Sequence, residues 1–403
     1  MKPDRDRGTR PPELSLGPAR RIVLTANTAW YLKNFRLGLI RALISRGCKV
    51  WVWAPEDRYF PALAEAGATT VHLPINGKGL NPVEDLRLTH AYRRRLRELR
   101  PDALLTFTIK PVIYGGLVAG QLGIPCLSTI TGLGTAFIRE GWLTRVAETM
   151  YRRGQRKAAK VFFQNPDDRA LFIKRRIVEA QRTQVVPGSG INLQRFQPVP
   201  LPSSQRGDVV FLLIGRMLRD KGVLEFEEAA RVLKSEFPNA RFQLLGAADV
   251  PNRTAISREQ LASWQAEGVI EYLGESDDVR AQIAAADCVV LPSYREGIPR
   301  TLLEGGAMGR PLVATDVPGC REVVRDGVNG YLCEARSVVA LAAAMRRVAL
   351  MEPAERAALG RVARAGIERD YDENRVIAAY CAALGLEDAS ALGAAHDEAI
   401  QYG

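Results

Sequence analysis

The sequence predicts an α/β protein of two Rossmann-like, doubly wound domains that face a central cleft. Three observations lead there. Apolar runs of strand length alternate with longer amphipathic stretches along most of the chain. That alternation breaks once, in a Pro- and Ser-rich stretch, and then restarts. The chain, at 403 residues, is also longer than one hydrophobic core usually holds.

In the first half the strand candidates are "RIVLTAN" (21–27), "KVWVWAP" (49–55), "TTVHLPI" (69–75), "DALLTFT" (102–108), "IPCLSTIT" (124–131), "KVFFQN" (160–165) and "TQVVPGSG" (183–190). Segments 33–46, 84–99, 111–122 and 142–158 read as the helices between them. Near-continuous apolar strands joined by helices indicate a parallel sheet covered on both faces. "INLQRFQPVPLPSSQRG" (191–207) has the composition of a linker. The pattern resumes at "DVVFLLIGRM" (208–217) and runs through "ARFQLLG", "VIEYLG", "DCVVLPS", "PLVATDV" and "GYLCEA". "YDENRVIAAYCAALG" (371–385) then follows as a separate helix. The expected organisation is a flexible lead-in (1–19), a first domain (20–195), a linker (196–207), a second domain (208–370), the helix 371–385 and a loose tail (386–403).

Composition excludes several classes. Cys48, Cys126, Cys288, Cys320, Cys333 and Cys381 form no CxxC pair, which suits buried reduced thiols rather than disulfides or zinc. With His72, His90 and His396 as its only histidines, the chain offers no multi-histidine metal centre. The charged, Pro-rich N-terminus lacks the apolar core of a signal peptide, and no apolar run reaches the roughly 18 residues that read as a transmembrane helix. Charge is uneven: residues 1–200 carry 33 Lys and Arg against 15 Asp and Glu, and residues 201–403 carry 23 against 30. A basic half beside an acidic one predicts a polyanionic surface for the first domain only, either nucleic acid or an anionic membrane.

Two stretches of the second half carry chemistry. In "LLIGRMLRDKG" (212–222) a strand ends at Gly215, and Arg216 and Lys221 follow on the loop into a helix, an arrangement suited to a diphosphate. It is not a Walker A loop. In "CVVLPSYREGIPRTLLEGGAMG" the turn Gly297-Ile298-Pro299 sits at a strand's C-terminal end, where open α/β sheets bind ligands. Pro299 suits a helix's first turn. The amides of Arg300, Thr301 and Leu302 would then be free for phosphate oxygens. Glu304, one turn further, suits a pair of vicinal hydroxyls, and Glu296 lies nearer whatever extends beyond the phosphates. Two carboxylates bracketing an anion cradle fit a nucleotide sugar.

These elements resemble glycosyltransferase family 4, a retaining family of GT-B fold. Glu296 and Glu304 match its E-x7-E motif, "GRMLRDKG" matches its Arg and Lys pair, and "VPGSGIN" (186–192) is similar to its interdomain segment. The resemblance spans about residues 20–385. It implies Arg216 and Lys221 on the donor diphosphate, Glu304 on the ribose, Glu296 near the donor sugar, and helix 371–385 crossing back onto the first domain.

"NTAWYLKNFRLGLIRAL" (27–43), "TFTIKPVIYGGLVAG" (106–120) and "ITGLGTAFI" (130–138) further resemble a subfamily that builds glycans on undecaprenyl diphosphate, similar to the diphospho-undecaprenol-diacetylbacillosamine α-1,3-N-acetylgalactosaminyltransferases. In those segments Asn27, Lys33, Asn34, Lys110, Thr131 and Gly132 are the candidate acceptor contacts. The chain departs from the wider family twice. "NTAWYLKN" replaces a Gly-rich loop, and Thr108-Ile109-Lys110 stands where a His is frequent. Lys110 is the candidate for that corner, as a phosphate or sugar contact, with helix capping as its alternative.

The resemblance implies a hexosyltransferase that retains the α-anomer. Its donor would be a UDP-N-acetylhexosamine, by inference N-acetylgalactosamine, and its acceptor a polyprenyl-diphosphate-linked sugar. Leaving-group charge would be met by Arg216, Lys221 and helix amides without metal or cofactor. "ESDD" (275–278) reads as a surface loop and not as a metal site. "YRRRLRELR" (92–100) and "GWLTRVAETMYRRGQRK" (141–157), with Trp142, Leu143, Val146 and Met150 at near-helical spacing, suit a helix on an anionic leaflet or a core-facing stripe. The expected location is peripheral, on the inner face of the cytoplasmic membrane. The alternatives are a soluble acceptor or another donor sugar, or a non-catalytic nucleotide-sugar-binding protein. Nucleic acid finds no reader motif.

Overall fold

The computed structural model describes residues 20–386 apart from 78–80, 134–140, 203–205, 251 and 253. The lead-in, residues 387–403 of the tail and much of "ITGLGTAFI" lie outside the described residues, as do the side chains of Trp142 and Leu143.

The chain starts with β1 (Arg21–Thr25), α1 (Ala29–Ser45), β2 (Lys49–Ala54), α2 (Phe60–Glu65), β3 (Thr69–His72), α3 (Pro82–Leu99) and β4 (Ala103–Phe107). A π-helical turn (Pro111–Gly115) leads into α4 (Gly116–Leu122). β5 (Cys126–Ile130), α5 (Trp142–Gln155), β6 (Lys160–Phe163), α6 (Pro166–Lys174) and β7 (Thr183–Val185) complete the first unit. Its strands pair in parallel in the order β3-β2-β1-β4-β5-β6-β7. β4 and β5 are buried at every position, as central strands of a doubly wound sheet must be.

The second unit repeats the plan. β8 (Val210–Ile214), α7 (Val223–Glu236), β9 (Arg241–Leu245), α8 (Arg258–Ala266), β10 (Glu271–Tyr272), α9 (Arg280–Ala284), β11 (Cys288–Leu291), α10 (Arg300–Ala307), β12 (Leu312–Thr315) and β13 (Gly330–Cys333) form a parallel sheet ordered β10-β9-β8-β11-β12-β13. α11 (Val338–Ala349) and α12 (Pro353–Tyr371) follow. In each sheet the strand order reverses beside the first strand, at β1/β4 and at β8/β11. The crevice outside such a switch point is where ligands bind.

The last helix, α13 (Glu373–Ala383), returns to the first domain. Its Val376, Tyr380 and Cys381 pack in one core cluster with Leu39, Phe107 and Phe162. The crossing is stapled where the Ile191 amide donates to the Tyr371 carbonyl (2.8 Å) and the Glu373 amide to that of Ile191 (3.1 Å). Gly190 adopts a φ of +68°, and a Cβ there would lie 2.4 Å from Glu373 Cα, so the crossing requires glycine. Buried Arg310 ties the linker down by donating to the carbonyls of Val199, Pro200, Ile283 and Ala284. All six cysteines are buried and none is in a disulfide, and burial pushes the Cys126 thiol up to about 11. Among the described residues no helix is long and apolar enough to cross a membrane.

Candidate active site at the interdomain cleft

The site grows from the C-terminal ends of β8 and β11. After β8, the Gly215 amide donates to the Leu245 carbonyl (2.9 Å) and Arg216 projects into solvent. A Cβ at Gly215 would meet the Lys221 side chain at 3.9 Å, so the glycine keeps the approach to that lysine open. After β11, the chain passes through Ser293 and Tyr294 to Glu296. The Lys221 ammonium is bonded to the Glu296 carboxylate. The turn ends at Pro299, which caps α10 in extended geometry rather than occupying its first helical position.

Glu304 lies on α10 with Oε1 2.9 Å from Arg300 Nε. Burial raises its pKa, and the Arg300 guanidinium opposes that shift. Arg300 itself is sandwiched between domains. Its guanidinium lies over the rings of Phe35 from α1 and Phe196 from the linker, 5.4 and 6.0 Å from their centroids. Both carboxylates of the pair therefore carry a cation.

The first domain meets this turn directly. Gln164 Oε1 accepts the Ile298 amide (3.2 Å), and Asn165 Nδ2 donates to the Gly297 carbonyl (3.0 Å). Asp168 pairs with Arg295. At the other rim, Tyr59 and Arg58 both bond Asp277 of the second domain. The two strand-end edges thus face each other, with cross-domain contacts on either side.

The profile of the glycosyl transferase 4-like domain matches residues 34–188, and that of glycosyl transferases group 1 matches residues 208–350. The chain is a glycosyltransferase, matched by a glycosyltransferase profile in each of its two domains. It is 28% identical over 376 residues to the N,N'-diacetylbacillosaminyl-diphospho-undecaprenol alpha-1,3-N-acetylgalactosaminyltransferase of Campylobacter jejuni, covering 89% of this chain and 97% of that one. It is 24% identical over 291 residues to the UDP-Gal:alpha-D-GlcNAc-diphosphoundecaprenol alpha-1,3-galactosyltransferase of Escherichia coli, covering 68% and 73%. The fold matches that of Anabaena Alr3699/HepE in complex with UDP and glucose, with a TM-score of 0.72 at 18% identity over 91% of this chain and 99% of that one. It also matches the sucrose-phosphate synthase of Thermosynechococcus elongatus, with a TM-score of 0.74 at 21% identity over 93% and 100%.

In this glycosyltransferase the structure brings together Gly215, Lys221, Glu296 and the Gly297–Pro299 turn, with Arg216 and the Arg300–Glu304 pair on the loops and helix beside them. Two sequence expectations are corrected, those for Leu302 and Lys110. The Leu302 amide is not free for phosphate, because it donates to the Pro299 carbonyl (3.1 Å) in a tightened first turn. Thr131 and Gly132, the candidate acceptor contacts, pack against the donor turn: the Thr131 carbonyl is 2.6 Å and the Gly297 amide 3.4 Å from Cβ positions built on Gly297 and Gly132.

Lys110 is not a free cation at the cleft. It is 6% exposed, with Nζ 2.8 Å from Asp85 Oδ1. It stands at the N-cap position of the π-helical turn but makes no side-chain capping bond, and it is buried from solvent. Asn27 remains at the strand end, its amide donating to Thr108 Oγ1 (2.9 Å), and Lys33 and Asn34 share a hydrogen bond on α1 (3.3 Å).

Sequence reasoning missed Gln164, Asn165 and Asp168. Their signal was present, since "QNPDD" is polar sequence at a strand's C-terminal end opening a helix with Asn-Pro. "ESDD" lies on the surface as its sequence predicts, and its exposed Asp277 also accepts from Tyr59 across the domains. A separate cavity of about 700 Å3 opens beside Tyr294, lined by Asp316, Asp326, Glu334 and Arg336. Its mostly acidic lining does not suit a diphosphate, whereas the cations at Arg216 and Lys221 do.

Proposed function

We propose that this glycosyltransferase moves an N-acetylhexosamine, N-acetylgalactosamine first among them, from a UDP-sugar to a hydroxyl of an undecaprenyl-diphosphate-linked sugar during assembly of a bacterial glycan. The observation that carries this reading is the near end-to-end similarity to the Campylobacter jejuni enzyme. The Escherichia coli relative shares the diphosphoundecaprenol acceptor in its name but transfers galactose. Two relatives therefore support the acceptor class and one the sugar.

In this mechanism Arg216, exposed and cationic, and Lys221, now on Glu296, take the donor diphosphate, with the Arg300 and Thr301 amides beside them. Glu304, its Oε1 held by Arg300, offers its other oxygen to the ribose, and Glu296 addresses the donor sugar. The acceptor hydroxyl oxygen bonds to the anomeric carbon on the face from which the diphosphate leaves, so the α-anomer is retained. The carbon–oxygen bond to the β-phosphate breaks and its electron pair stays on the phosphate, which takes the hydroxyl proton. The cations stabilise that charge, so transfer needs no metal. Neither glutamate acts as a nucleophile.

Peripheral membrane binding is supported by the face that α3 and α5 present. Arg94, Arg97, Arg152 and Arg153 are exposed there, with Leu86 71% and Val83 58% exposed at the start of α3. The test is UDP release and product analysis across UDP-sugars with a polyprenyl-diphosphate-linked acceptor, in EDTA. Transfer to a soluble sugar acceptor alone would refute the lipid-linked reading. Loss of turnover in EDTA would refute the metal-free one.

A further inference from the structure

The Arg295–Ile298 turn belongs to the second domain but is shaped by atoms of the first. Within its own domain, the Glu296 amide donates to the Pro318 carbonyl (3.2 Å) and the Glu296 carboxylate meets Lys221. The remaining links cross the cleft. Asn165 reaches the Gly297 carbonyl, Gln164 the Ile298 amide, and Asp168 the Arg295 guanidinium, one residue before Glu296.

The first-domain groups are themselves fixed. Asn165 caps α6, its Oδ1 accepting the Asp168 amide (2.8 Å), and its Nδ2 also touches Asp168 Oδ2 (3.2 Å). Asp168 is 1% exposed on the first turn of that helix. A buried carboxylate is costly without a partner. Burial does push its pKa up, and Arg295 and Asn165 pull it back. Separating the domains would strip Asp168 of Arg295 and release the turn that carries Glu296.

We propose that Asp168, together with Asn165, is a positioning residue for Glu296, setting the donor-sugar carboxylate in place only when the two domains are closed. This rests on the donor-sugar role proposed for Glu296 but assigns a function to a first-domain segment outside the donor domain.

The test uses the full chain with Asp168→Asn, Asn165→Ala and the conservative Asp168→Glu. The first readout is amide hydrogen exchange in peptides covering 294–302, which needs no substrate. Exchange there should quicken at least fivefold in Asp168→Asn and Asn165→Ala, with β8 peptides unchanged and partial recovery in Asp168→Glu. The second readout is UDP release from UDP-N-acetylgalactosamine beside UDP affinity by calorimetry. Turnover should fall tenfold or more while UDP affinity moves less than twofold, because the diphosphate contacts belong to the second domain.

Unchanged exchange in both variants would overturn the proposal. So would equal losses of turnover, UDP affinity and melting temperature, the mark of a merely structural residue. If the wild type released no UDP from any UDP-sugar, the donor reading would fail, and the exchange experiment would still decide this one.

Discussion

Gly297→Ala tests how closely the domains must approach at the donor turn. Gly297 is not among the positive-φ glycines, so alanine brings no backbone strain. What it brings is a Cβ 2.3 Å from Gln164 Oε1 and 2.6 Å from the Thr131 carbonyl oxygen, both in the first domain. The glutamine can swing away, but the carbonyl is backbone. Carbon-to-oxygen contacts normally fall at roughly 3.3–3.6 Å, so the surfaces must part by about 0.7 Å or more.

That shift stretches the Asn165–Gly297 and Gln164–Ile298 bonds, now 3.0 and 3.2 Å. At roughly 0.5–1.5 kcal/mol each, their loss disfavours the closed arrangement by about 1–3 kcal/mol, and overpacking adds a similar amount. The sum is about 2–6 kcal/mol, and with about 1.4 kcal/mol per factor of ten turnover should fall at least about 25-fold. The assay is UDP release under saturating donor, with small-angle scattering to follow domain opening. Gly141→Ala, which meets nothing within 4 Å among the described residues, is the control. Because the clash lies between domains, each domain should melt as before. Turnover within twofold of wild type would refute the reasoning.

Arg216→Ala should leave melting unchanged, since the side chain is exposed, while weakening UDP affinity about tenfold in calorimetry. Lys110→Met should cost about 3–5 kcal/mol by leaving Asp85 unpaired in a buried site, and adding Asp85→Leu should recover much of it. Denaturant titration reads the difference, and full turnover in the stable double variant would confirm that Lys110 is structural. Glu304 binds its proton more tightly folded than unfolded, because burial raises its pKa. Its stabilising contribution is thus complete below the ordinary carboxylate range and is lost as pH rises through the folded value. Wild type should gain stability relative to Glu304→Gln between pH 7 and pH 4 in thermal melts, and a pH-independent difference would contradict this.

Strand positions were legible because each is a near-continuous apolar run, and β1, β2, β4 and β8 lie inside the segments read from sequence. "VIEYLG" shrank to the two-residue edge strand β10, and α2 escaped notice because six residues hold too little periodicity. The same locality governs the site. Glu296 and Glu304 are set by one turn and one helix, so their spacing could be read directly. Lys221 meets Glu296 because β8 and β11 are neighbours, which the switch-point rule anticipates. The partners of Lys110, Arg295 and Asp277 could not be read in this way. They lie 25, 127 and 218 residues away, joined by packing that no local pattern encodes.

That division between local and cross-domain geometry bears on the order of events. Glu304 sits inside α10, and the Arg300 that holds it is four residues away on the same helix. Arg216 and Lys221 likewise belong to the second domain. Arg300, however, also lies over Phe35 of the first domain, so it is the diphosphate end of the donor, at Arg216 and Lys221, that can be held while the domains are apart. Glu296 differs, because the turn carrying it is bonded to Gln164 and Asn165 and flanked by the Asp168–Arg295 pair. Its geometry is completed by closure. On the roles proposed above, the two ends of the donor site therefore report on different states of the molecule: diphosphate binding on the second domain, and sugar placement on the closed pair. Holding the sugar contact back until closure would keep the donor's reactive carbon from water until the acceptor-binding domain has arrived.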